Sequence, residues 1–222
     1  MTLASSNRFS FVAPIYDFLA RAYSFGMIAE SKRWQVQYLK EGERVLYAGA
    51  GAAEDAVLAA KAGARVTIVE LSGGMLAQTK KRIKALKVEC AHPIVLIHAD
   101  VMCHTPEHPY DVVVANYFLN VFEPRLMQTV FSHLNTLLRV EGKFFIADFA
   151  PMKANKWAAM CQKLYFYTAV TVFRVVAGNG WHPLYDYSGM LVNNGFRIDQ
   201  KKDFRLGVCG PAWYRSIIAS KH

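Results

Sequence analysis

The chain has 222 residues, 53% of them hydrophobic, and a formal charge of +9 from 26 Lys and Arg against 17 Asp and Glu. That length suits one domain with a full core, and with no Pro/Gly/Ser-rich stretch or internal repeat the composition excludes a disordered chain, a solenoid or a linker-joined pair. Cys90, Cys103, Cys161 and Cys209 stand far apart with no C-x-x-C pair, which excludes a disulfide framework and fits free thiols in a reducing cytoplasm.

Residues 1–8 lack the basic, apolar, small-residue order of a secretory signal, and no apolar run reaches the roughly 18 residues of a membrane span. The expectation is a cytoplasmic protein, soluble or peripheral to a membrane. The densest basic group, Lys80, Lys81, Arg82, Lys84 and Lys87, reads as the solvated face of a helix rather than a nucleic-acid patch. His98, Cys103, His104 and His108 are metal-capable, but neither an i,i+4 histidine pair nor a second cysteine accompanies them, and no metal is expected.

In chain order, residues 11–40 read as helical. Phe11, Ile15, Phe18, Leu19, Ala22 and Tyr23 fall at helical spacing, Gly26 breaks the pattern, and a second segment covers 31–39. The stretch 43–55 then runs from an apolar strand through Gly49 and Gly51 into a helix. Glycines there remove the Cβ atoms that would keep a ligand off the backbone, and the helix start offers unpaired N–H groups. A dinucleotide fingerprint G-x-G-x-x-G would require a third glycine at position 54, where Glu54 would meet a pyrophosphate with a like charge.

The next strand, 65–70, ends in Glu70, 21 residues after Gly49, the spacing at which a carboxylate in a βαβ unit reaches ribose hydroxyls. A helix over 73–87 and a strand over 94–98 complete a β-α-β-α-β series, which implies a parallel sheet with a ligand crevice at the strands' carboxyl ends. Residues 109–116 read as a central buried strand that stops at Asn116-Tyr117-Phe118-Leu119. A helix over 124–139 and a strand over 143–149 follow. Residues 164–177 hold a single charge, Arg174; such a helix covers an apolar pocket or lies at a membrane interface. A helix over 188–194 and two strands, one opening at Gly195 and one over 213–219, end the pattern.

The glycine turn, Glu70-Leu71-Ser72-Gly73-Gly74-Met75-Leu76 and Ala99-Asp100-Val101 together resemble the class I S-adenosylmethionine-dependent methyltransferases, most nearly the ubiquinone/menaquinone C-methyltransferase group and its small-molecule and lipid-acting relatives. The resemblance covers about residues 12–218. It implies an α/β fold: a Rossmann-like three-layer sandwich with a mostly parallel seven-stranded sheet, order 3-2-1-4-5-7-6. The whole chain, 1–222, would then form one domain, with a helical lid at 1–40, a cofactor half at 41–150 and a substrate-side helix and hairpin at 151–222.

It also implies S-adenosyl-L-methionine as cofactor, held by Tyr47, Gly49, Ala50, Gly51, Glu70, Leu71, Met75, Asp100, Val101 and Asn116. Tyr16, Tyr117 and His182 are its candidates for orienting the acceptor or moving a proton, and Tyr185 is a further one. Two departures stand out: Tyr47 where the family carries an acid, a charge that Glu54 or Asp55 would have to replace, and Ala53 where it carries a third glycine. The expected partner is a small-molecule or lipid-like acceptor, with possible peripheral membrane contact, no nucleic acid, and a monomer or homodimer. Two alternatives stay open: a weakened or inactive cofactor-binding scaffold, and a phospholipid N-methyltransferase. A short-chain oxidoreductase lacks its Tyr-x-x-x-Lys pair here.

Overall fold

In a computed structural model the described residues are 23–49, 51, 53–86, 90–151, 159–160, 162–168, 171, 184–205 and 210–222. Seven strands, Arg44–Ala48 (β1), Arg65–Glu70 (β2), Val95–His98 (β3), Tyr110–Val114 (β4), Leu138–Phe149 (β5), Phe196–Arg205 (β6) and Ala212–Lys221 (β7), form one sheet in order β3-β2-β1-β4-β5-β7-β6. The first five are parallel, and β7 runs antiparallel between β5 and β6. This is the Rossmann-like methyltransferase order that the resemblance implies. Helices Met27–Val36 (α1), Glu54–Lys61 (α2), Gly73–Ala85 (α3), Pro124–Thr136 (α4) and Tyr187–Asn193 (α5) flank it, and residues 162–168 are also helical.

The central strands are near-continuous Val, Ile and Leu because both faces are covered. On one face Leu46, Val113, Phe144 and Ile146 meet Phe131 and Leu134 of α4 and Leu191 of α5. On the other, Val45, Tyr47, Val112 and Phe145 meet Ala56, Ala59 and Ala60 of α2, whose small side chains let that helix approach closely. The period-2 alternation of the strands thus divides one sheet into two cores.

Element boundaries differ from expectation where pairing overrides local pattern. α4 ends at Thr136 and β5 begins at Leu138, five residues ahead of the expected strand, because Leu138 pairs with Tyr110 before the register shifts. Glu141 absorbs that shift with a left-handed φ of 61°. α1 starts directly after Gly26, whose φ of 80° reverses the chain, rather than near residue 31. Of the expected lid only residues from 23 onward lie within the described residues. Its α1 rests on the sheet: Gln35 Nε2 donates to Ser216 Oγ of β7 at 2.8 Å, both side chains buried. Among the described residues no helix is long and apolar enough to cross a membrane, and no group of three metal-capable side chains converges.

Candidate cofactor and acceptor site

β1 and β2 are adjacent and in register, Ala48 opposite Val69, so Gly49 and Glu70 leave the sheet side by side. The Gly49 N–H donates to Val69 O at 2.9 Å, continuing the ladder to the turn. Backbone φ is then positive at Gly49 (83°), Gly51 (46°) and Ala53 (54°). Ala53 therefore holds the left-handed conformation that a glycine would adopt freely, so the glycine turn keeps its shape without its third glycine.

Glu70 Oε1 accepts from the Ser72 N–H at 2.7 Å, and Oε2 lies 3.9 Å from where a Cβ on Gly49 would stand. A Cβ there would also come within 3.0 Å of the Phe118 ring, which covers the bare face of the glycine. Ser72 caps α3 by accepting from the Met75 N–H, which puts Leu71 and Met75 beside Glu70. One strand further out the Ala99 N–H donates to Glu70 O at 3.2 Å, bringing Asp100 to the same edge. Asp100 Oδ1 accepts from the Met102 N–H and caps a short 3-10 turn, while Val101 is buried in the core.

At the other side of the turn, α1 supplies Lys32. Its Nζ lies 3.7 Å from the position of a Cβ on Gly51, 4.0 Å from Asp55 Oδ1 and 5.9 Å from the centre of the Tyr117 ring. Asp55 is buried, and its Oδ2 accepts from Asn116 Nδ2 at 3.2 Å. The same Nδ2 donates to Gln35 Oε1 at 2.8 Å, while Asn116 Oδ1 accepts from the Ala147 N–H at 2.7 Å. Asn116 thus ties β4, β5, α1 and α2 together at the tips of the strands.

Tyr117 has a φ of 51°, uncommon for a bulky residue and characteristic of sites where surrounding structure fixes the backbone. Its N–H donates to Ala147 O, and its hydroxyl shares a 2.9 Å hydrogen bond with Ser31. Burial holds its phenol well above the ordinary value, so it acts as a neutral hydroxyl. Burial, reinforced by the Asp55 charge, does the same to Tyr47, whose ring packs in the core.

Beside these, at the end of β5, Asp148 is buried and accepts from Asn120 Nδ2 (2.9 Å), the Phe149 N–H (2.7 Å) and the Tyr187 hydroxyl (2.7 Å). Desolvation outweighs those three donors and pushes its carboxyl up to about 7. A cavity of about 10 Å³, room for one water, adjoins Asp148, Tyr185, Tyr187 and Arg215.

Of the sequence candidates, the fold brings Gly49, Gly51, Glu70, Leu71, Met75, Asp100, Asn116 and Tyr117 to one end of the sheet. Tyr47 and Val101 back that end from the core. Tyr16, Ala50 and His182 lie outside the described residues. Lys32, Gln35, Asn120 and Asp148 were not visible in the sequence: each is distant along the chain from the partners that give it meaning.

Residues 46–144, from within β1 to within β5, match the family model described as a methyltransferase domain; they include Gly49, Gly51, Glu70, Asp100, Asn116 and Tyr117 but not Lys32, Gln35 or Asp148. That segment carries the pattern of a methyltransferase domain. Its fold is similar to those of magnesium protoporphyrin IX methyltransferase from Synechocystis with bound S-adenosylhomocysteine (18% identity, 91% of this chain and 85% of that one, TM-score 0.65) and the N-methyltransferase NodS from Bradyrhizobium japonicum with the same ligand (11%, 90% and 87%, 0.62). A putative O-methyltransferase from Nostoc punctiforme aligns at 21% identity, over 94% of this chain and 61% of that one, with TM-score 0.67. No curated protein matches the chain significantly by sequence.

Proposed function

We propose that this methyltransferase transfers the methyl group of S-adenosylmethionine to a small hydrophobic or lipid-like acceptor. The observation that carries the cofactor half is the placement of Glu70: its carboxylate stands at the tip of β2 directly against the glycine turn, where a nucleoside lying across β1 and β2 presents its ribose hydroxyls. The residues present fit such a ligand. Gly51 leaves the backbone of the turn open to it, Glu70 accepts from the ribose, and Asp100 at the neighbouring strand edge faces the adenine end.

The cofactor supplies an electrophilic methyl on a sulfonium. What is left to the chain is to align an electron-rich acceptor with that methyl and to exclude water. Asn116 and Tyr117, fixed at the end of β4 by Ala147, form the wall between donor and acceptor, with Tyr117 offering a neutral hydroxyl. Tyr16 and His182 remain proposed as further acceptor-side groups. The lipid-like character of the acceptor draws support from Leu164, 72% exposed beside the exposed Met160 and Tyr167, together with the net charge of +9. A phospholipid amine is the narrower version of this reading.

Calorimetric titration with S-adenosylmethionine and S-adenosylhomocysteine tests the cofactor half. Glu70→Ala is expected to weaken binding by about 2–3 kcal/mol, the worth of charged hydrogen bonds. Unchanged affinity removes the site. The second reading, a scaffold that binds cofactor without turnover, is favoured by the neutral, buried Tyr47; it predicts heat on titration but no methylated product from apolar or lipid acceptors. Flotation with anionic and neutral vesicles at low and high salt tests the lipid acceptor, which fails if the protein stays with neither.

A further inference from the structure

Tyr47 leaves unanswered what binds the amino-acid end of the cofactor, since a protonated phenol inside the core brings no charge to the glycine turn. Glu54, the nearer acid in sequence to a glycine fingerprint, is half exposed and pairs with Arg33 at 3.6 Å on the surface. Asp55 is the opposite case. It is buried in the first turn of α2, held by Asn116, and faces Lys32 across the turn.

The Lys32–Asp55 separation of 4.0 Å exceeds hydrogen-bonding distance, so the two charges attract without being locked together. The Lys32 side chain is 16% exposed and the Asp55 side chain 6%, which places both where charge is weakly screened. The ammonium of Lys32 lies over Gly51, where the missing Cβ leaves the backbone approachable. A cation and an anion side by side over a glycine turn are complementary to a group that carries an anion and a cation on one carbon. An α-amino acid is such a group: its carboxylate meets the lysine as its ammonium meets the aspartate.

We propose that Lys32 of α1 and Asp55 of α2 form a clamp for the zwitterionic amino-acid end of the cofactor, Lys32 binding the carboxylate and Asp55 the ammonium. This rests on the cofactor reading above. It moves the recognition of that end from the strand, where Tyr47 stands, to two helices. Because Lys32 also lies over the Tyr117 ring, and Ser31 one residue earlier bonds the Tyr117 hydroxyl, the clamp registers the acceptor wall against the bound cofactor.

The test compares two ligands by calorimetry on the full chain: S-adenosylhomocysteine, and 5'-methylthioadenosine, a nucleoside thioether without the amino-acid end. Lys32→Met keeps the apolar stem and removes the charge. It is expected to weaken S-adenosylhomocysteine roughly tenfold to a hundredfold, the range of a charge-assisted hydrogen bond, and to leave methylthioadenosine unchanged. Asp55→Asn should show the same selectivity, and Lys32→Arg should restore part of the affinity. Equal weakening of both ligands, or weakening of neither, overturns the clamp while the cofactor reading stands. Wild-type protein that binds neither ligand overturns the cofactor reading and the clamp with it.

Discussion

Ala53 shows how a single residue can keep a shape that its side chain disfavours. A left-handed backbone costs an L-residue with a Cβ about 1–2 kcal/mol, so Ala53→Gly relieves strain. The change also removes a buried methyl worth about 0.8 kcal/mol and frees the unfolded chain by about 0.4–1 kcal/mol. These effects nearly cancel. Ala53→Gly is therefore expected to be close to neutral in thermal or denaturant unfolding, whereas Ala→Gly at the equally buried, right-handed Ala59 in α2 should cost at least about 1 kcal/mol more. Equal costs at the two positions would show that Ala53 is unstrained. The glycine turn and Glu70 were legible in the sequence because their signals are local: two glycines after an apolar run, and an acid ending the next one. Lys32 was not, because nothing in a basic residue on a half-polar helix says that it ends over Gly51.

Elements in this protein are joined by a few buried polar side chains. Gln35 bridges Ser216 on β7 and Asn116 after β4, so Gln35→Ala leaves a buried hydroxyl and a half-buried amide each short of a partner. A loss of about 2–3 kcal/mol in denaturant unfolding is expected, greater than for Gln37→Ala on the solvent side of the same segment, whose exposed amide donates to Trp34 O. Asp148 joins β5, the loop after β4 and α5 in the same way, through Asn120 and Tyr187, but as a carboxyl displaced from 3.8 to about 7. Such a group stabilises the fold fully below its unfolded value, and that contribution is lost as pH rises through about 7. Asp148→Asn removes the cost of burying the charge, so it should raise the unfolding free energy above pH 7 by on the order of 2 kcal/mol and bring no gain near pH 4. A variant whose melting temperature shifts equally at both pH values would show that Asp148 is not protonated in the fold near neutrality. Neither bridge was readable beforehand, because Gln35 and Ser216 are 181 residues apart and Asp148 sat inside a strand pattern that any apolar sheet could show.

Across the whole molecule, the seven strands share one sheet and its two cores meet through the same strands. We expect a single cooperative unfolding transition, with calorimetric and van't Hoff enthalpies in agreement; two resolved transitions would instead separate a unit around β6 and β7 from the rest. That the first strands run parallel followed from alternating strand and helix signals, and the strand order and the antiparallel hairpin from the family resemblance. The early start of β5 followed from neither, since Leu138 becomes a strand residue only through Tyr110.

The position of β7 sets a timetable for biosynthesis. β6 leaves the ribosome first, yet its only neighbour in the sheet is β7, which must arrive later and wedge between β6 and the waiting edge of β5. Until then the nascent chain carries an open, apolar strand edge at β5, the kind of edge on which chains join one another. Nascent chains stalled just after β6 should be bound by chaperones, and those stalled after β7 has emerged should be released.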